Sequence, residues 1–374
     1  MKKYLLIFLW IFFSCTNAST SDLMADADTF ETLNLKWNKS YPDDNIQKSA
    51  LGLEWALSYS GAILPNAPSG INVGNEIITV NLSELGFTDV ALEKLYKLHQ
   101  KIKSSPEYKV NDAVDLGRYV TLLLGAPEHY YEIAGVPKKL DDLLSNYVLL
   151  PEKGYVNNSG VSLEHRIIRF SEQKNLNQVF VSSEVDPVSG EIFEYETIEI
   201  ISNGQLRFGI FDSDGNRKNN ADATHSNAGK PAKCMWCHES IIQPLYNLQA
   251  DFPEFLTYLQ LQSKLVNFNQ LLQNQKYALP AGVDFSQNQQ HTLTELLYIS
   301  FMEPSAERLA LEWNLPLAEV RAKLSGFPTH VYEEFPFLGN LYDRNLIENL
   351  APRKGLAVSS SVREPSEIEV NHIE

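Results

Sequence analysis

Cys234 and Cys237 are two of only three cysteines in this chain, and His238 follows the second directly in "GKPAKCMWCHESII". Four chemistries use such a set. Two thiols at this spacing on one turn can reach the two vinyl groups of a haem and form thioethers, with the next histidine beneath the iron. A redox dithiol would cycle between thiols and a disulfide. A zinc clip would use Cys234, Cys237, His238 and a further ligand such as His225. A plain disulfide would use the cysteines and give His238 no role.

The N-terminus bears on the choice. "MKKYLLIFLWIFFSC" has a positive start, Lys2 and Lys3, then an apolar run from Tyr4 to Phe13. It reads as an export signal over residues 1–14, too short for a comfortable membrane helix. Exported thiols tend to oxidise unless they are occupied. A thioredoxin-like dithiol would follow a parallel strand and open a helix, whereas a polar loop, residues 216–233, precedes Cys234. Zinc ligands usually come in two separated pairs, and a second pair is not evident. A disulfide leaves His238 unexplained. The Cys-x-x-Cys-His motif resembles the attachment motif of c-type cytochromes. That resemblance implies one covalent haem c, anchored by Cys234 and Cys237, with His238 as proximal iron ligand.

Cys15 follows the apolar run directly, after Ser14. This resembles a bacterial lipoprotein signal, although Phe12 and Phe13 stand where Leu and a small residue are commoner. The resemblance implies lipidation of Cys15, a tether over residues 15–29 and a membrane anchor. The alternative is ordinary cleavage near Ala18. Either way the expected location is outside the cytoplasm, periplasmic or associated with the outer membrane of a bacterial envelope.

The group facing His238 across the iron would decide function. A methionine there gives a low-spin electron carrier. Met1 lies in the signal, Met24 in the tether and Met235 inside the attachment turn, which leaves Met302 in "LLYISFMEPSAERL". A downstream methionine before a further helix resembles class I cytochromes c; the plain alternative is a core methionine that fills a gap. The histidines His225, His291, His330, His99, His129 and His165 read as surface or capping residues. A β-sheet ahead of the motif resembles instead the cytochrome P460 and β-type cytochrome c′ group, which implies an open iron that binds or oxidises small nitrogen ligands. Those proteins carry the motif close to the chain end, whereas a long segment follows it here. The first expectation is therefore an electron carrier between redox protein partners. The alternatives are a haem enzyme or small-ligand-binding protein with an open distal site, and a non-haem structural lipoprotein with a CxxC disulfide.

The surrounding elements suggest an α+β fold. Residues 30–147 read as mainly helical: "SELGFTDVALEKLYKLHQKIKSS" spaces Val90, Leu92, Leu95 and Leu98 on a helix, with Ser83 or Thr88 at its start. A second helix starts near Asn111 and a short one covers "KKLDDLLSNY". Residues 148–215 alternate apolar and polar types in "VSLEHRIIRF", "LNQVFVSSEV", "EIFEYETIEII" and "QLRFGIFDSD". This reads as an antiparallel β-meander of four strands, or five with "YVLLPEK". "DSDGNRKNN" is a turn, because a calcium loop needs glycine where Arg217 stands. Residues 216–356 form the mainly helical, haem-bearing part, with helices expected over Ile241–Leu248, Pro253–Gln275 and Thr292–Phe301. Residues 357–374 are polar and expected to be disordered. The segment from Ser305 to Gly326 has the look of a helix-turn-helix, but a formal charge of -16 excludes a nucleic-acid partner.

Overall fold

The computed structural model describes residues 31–64, 70–242, 246–287 and 290–374. Residues 1–30, with the expected export signal, Cys15, Met24 and the expected tether, lie outside the described residues. The N-terminal part runs β1 (Thr32–Lys36), α1 (Ile46–Tyr59), β2 (Ile71–Val73), β3 (Ile77–Asn81), α2 (Asp89–Ser104), α3 (Pro106–Asn111), β4 (Val114–Asp115), α4 (Leu116–Leu124), α5 (Pro127–Ala134) and α6 (Leu140–Leu144). Its helices are as expected in kind. Thr88 caps α2 through the Ala91 amide, and Asp115 caps α4 through the Arg118 amide.

Residues 30–147 are mainly helical, as expected, and also contain four short strands that the sequence did not announce. A small mixed sheet, in the order β2-β3-β1-β4, lies among the helices. Its strands bury Leu33, Leu35, Ile78 and Val80 with a period of two. Runs of five residues or fewer give too little alternation to stand out beside long helices.

The meander forms as predicted in kind, with strands β5 (Gly154–Val156), β6 (His165–Phe170), β7 (Gln178–Val185), β8 (Ile192–Ile200) and β9 (Leu206–Asp212). They pair antiparallel in chain order. The fifth strand begins just after the expected "YVLLPEK". Gly204 makes the β8–β9 turn, at φ 85°, a conformation that glycine adopts without strain. At "DSDGNRKNN" the chain turns, with the Gly215 amide on the Asp212 carbonyl at 2.9 Å. The free edge of β9 is covered: the Tyr130 hydroxyl accepts from the Phe208 amide at 3.0 Å, which removes an exposed strand edge.

The C-terminal part contains α7 (Pro231–His238), α8 (Tyr258–Tyr277), α9 (Gln290–Met302), α10 (Ala306–Trp313), α11 (Leu317–Lys323) and α12 (Arg344–Ile347). The described residues of 241–248 form no helix, contrary to expectation. Helix α9 packs closely on α1 and α4. A Cβ at Gly52 would meet the Leu293 carbonyl oxygen at 2.7 Å, and one at Gly117 would meet that of Leu297 at 2.6 Å. The helix-turn-helix-like segment is α10 and α11, packed with α12 around Leu309, Trp313, Val320 and Ile347. Among the described residues no helix is long and apolar enough to cross a membrane. Residues 357–374, expected to be disordered, lack helix and strand but lie against the body, with Val362 and Ile373 buried.

Beneath α10 and α12 sits a buried charge network. Arg308 pairs with Asp115 at 2.8 Å and Glu312 at 2.5 Å, and Arg344 pairs with Glu312 at 2.7 Å. Burial alone would raise the Glu312 carboxyl, but Arg344 and Arg308 hold it at about 2. Its folded value is thus below that of an unfolded glutamate. The stabilisation is present above about pH 4.5 and disappears as pH falls towards 2. Acid titration of the unfolding free energy should show this loss. Glu312→Gln should lower stability at neutral pH and flatten the acid slope between about pH 4.5 and 2. An unchanged slope would contradict the network's role.

Candidate functional site

Helix α7 is short and one-sided. Pro231 occupies its first turn, where a missing amide costs nothing, after the extended Lys230. Positions three and four apart on a helix share a face, so Cys234, Cys237 and His238 point the same way. All three line one cleft. The intervening residues face elsewhere: Met235 is 2% exposed in the core and Trp236 is 37% exposed on the outer side. Both cysteines are free thiols.

Both ends of α7 are held. At its start, Lys230 is fully buried. Its Nζ donates to the Gly125 carbonyl at 3.1 Å, the Ser361 carbonyl at 2.8 Å and the Ser366 hydroxyl at 2.6 Å, and pairs with Glu369. The tail is therefore anchored by a cation that its own sequence does not contain. At the far end, Glu239 takes φ 51°, a strained value for a residue with a side chain. The Tyr59 hydroxyl donates to the Glu239 carbonyl at 2.8 Å and also meets His291 Nδ1 at 2.9 Å. Lys276 of α8 donates to the Ser240 carbonyl.

Across the cleft from α7 lies one face of the meander. Strand alternation and register place Arg166 and Ile168, Phe180 and Ser182, Glu196 and Ile198, and Phe208 on that face, and all seven line the cleft. Its middle is apolar and one end is charged. The Phe208 and His238 rings lie 6.0 Å apart. Burial, then the charge of Arg166, lowers the His238 imidazole to about 4, against a small opposing effect of the Ile241 backbone. The ring is neutral at physiological pH, as an iron ligand must be. Its Nδ1 is buried with no hydrogen-bond partner. Burial, then Glu196, pushes the Cys234 thiol well up, and burial raises Cys237 as well. A reactive redox dithiol needs the opposite shift.

Met302 does not line this cleft. It lies behind α7, in a second cavity with Trp236, Tyr298, Glu303 and His330. The weighed histidines are engaged elsewhere. His225 stacks on Phe193 at 3.9 Å, His291 meets Tyr59, His330 pairs with Glu303 at 2.6 Å and His165 meets Tyr155 at 2.7 Å. His99 meets Tyr119 at 3.0 Å and His129 the Leu122 carbonyl at 2.8 Å. Among the described residues no group of three or more His, Cys, Asp or Glu side chains is arranged to hold a metal ion. The donor set of the cleft, two thiols and a neutral imidazole on one helix face, fits a covalently held haem.

Sequence reasoning missed the charged end of the sheet face. Arg166 Nε pairs with Glu184 at 2.5 Å and Nη2 with Glu196 at 3.2 Å. The signal was a charge in phase with apolar neighbours, Arg166 with Ile168 and Phe170, and Glu196 with Ile198. No family model, no curated protein and no solved structure matches the chain.

Lys230→Met should cost about 1–3 kcal/mol, because the Gly125 and Ser361 carbonyls lose their buried donor. It should also release the tail, so that limited proteolysis cuts within residues 357–374. A tail still protected from protease would contradict Lys230 as its anchor.

Proposed function

We propose that this chain is an exported protein that would carry one covalent haem c, whose iron would be open to a small external ligand. Cys234 and Cys237 would hold the group through thioethers, and His238 would be the proximal iron ligand. The supporting observation is the single cleft, which presents these three residues and is lined by neither Met302 nor a second histidine. When bound, the haem supplies a redox-active iron with a free coordination position.

The chain's own residues would do the rest. Burial keeps His238 neutral and ready to donate its lone pair. Ile168, Phe180, Ile198 and Phe208 exclude water from the cleft, which strengthens each polar interaction made inside it. The clamps at Lys230, Tyr59 and Lys276 hold α7 against the sheet. This reading takes the open-site alternative over the electron carrier ligated by His238 and Met302, since Met302 would have to leave its own cavity. Exchange of electrons with a redox protein partner and a lipid anchor at Cys15 belong to the same reading.

Carbon monoxide tests the sixth position. Protein matured in a host that attaches c-type haem should, once reduced, bind carbon monoxide rapidly at neutral pH. Met302→Ala should leave the spin state and the spectrum unchanged. Slow or absent binding, with a spin-state change in Met302→Ala, would restore Met302 as the ligand and remove the open site.

A further inference from the structure

The apolar face of a sheet is an expensive place for a guanidinium. Arg166 nevertheless stands there, in phase with Ile168 and Phe170 on β6, and lines the cleft. It is held firmly. Nε pairs with Glu184 at 2.5 Å. Nη2 donates to Glu196 at 3.2 Å and to the Ser226 hydroxyl at 3.4 Å. The Glu184 side chain is fully buried and is itself fixed by the Ser162 hydroxyl. Nη1 has no hydrogen bond or ion pair among the described residues. The guanidinium thus has a fixed plane and an unused donor. It also lines the same cleft as Cys234, Cys237 and His238.

We propose that Arg166 is a ligand-positioning residue, whose free Nη1 donates to a small anionic or strongly hydrogen-bond-accepting ligand at the iron and makes the site favour such ligands over neutral gases. This rests on the open-site reading above. The local charge supports it. Burial, opposed by Arg166 and reinforced by Glu196, raises the Glu184 carboxyl to about 8. At neutral pH the Glu184 carboxyl is therefore held mostly protonated beside the guanidinium. An anion entering the cleft meets a positive donor that is not doubly neutralised. A lysine could supply the charge, but not a fixed planar fork that satisfies two carboxylates and keeps a donor spare.

The test compares two ligands on the matured haem protein: fluoride with the ferric form, which accepts hydrogen bonds, and carbon monoxide with the ferrous form, which accepts them poorly. The variants are Arg166→Lys and the double variant Arg166→Met with Glu184→Gln, which leaves no buried carboxylate at position 184. Both should keep covalent haem and lose about 10- to 100-fold in fluoride affinity, with carbon monoxide affinity changed by less than about threefold. A purely structural Arg166 would move both ligands together or neither, and either result overturns the proposal. If wild-type protein binds neither ligand, the open-site reading has failed instead, and Arg166 falls with it. The wild-type fluoride complex gives a check that needs no variant. Its iron–fluoride stretch should shift in heavy water, and an unshifted stretch contradicts a hydrogen bond to the ligand.

Discussion

The site depends on the presentation of three side chains on one face of a helix of only eight residues. Such a helix is marginal alone. Here it is fixed by its ends. Buried Lys230 ties its start to Gly125 and to the C-terminal tail, and Tyr59 and Lys276 hold the backbone just beyond His238. The strained Glu239 is tolerated because those contacts over-determine it. Tyr59 comes from α1 and the Gly125 carbonyl from the end of α4, so elements distant in sequence set where Cys234, Cys237 and His238 point.

Much of this was legible in the sequence, for identifiable reasons. The motif is five residues long, and helical spacing alone puts Cys234, Cys237 and His238 on one face. The meander announces itself by period-two alternation over long strands. What was not legible was a matter of range. Met302 was selected because the other methionines could be eliminated, but sequence distance does not say on which side of α7 a residue will lie. The small N-terminal sheet has strands too short to carry a period. The tail reads as polar and aperiodic, and only the buried charge of Lys230, more than a hundred residues earlier, makes its order understandable.

Arg166 was hidden for a different reason. In "HRIIRF" both phases of the alternation contain isoleucine, so either Arg166 or its neighbours could face inward. Pairing with β7 removes the ambiguity: Arg166 sits opposite Glu184 and Ile168 opposite Ser182. The result is a cleft with an apolar middle and one charged end. Burying that guanidinium is acceptable because the carboxyl groups of Glu184 and Glu196 lie beside it, at 2.5 and 3.2 Å.

The most direct test of the account is the mass of the peptide that carries Cys234 and Cys237, from protein made in a host competent for c-type haem maturation and digested after denaturation. The account predicts one peptide heavier by a single haem, with neither cysteine open to alkylation. An unmodified mass, whether the two cysteines are alkylatable or joined as a disulfide, would contradict it.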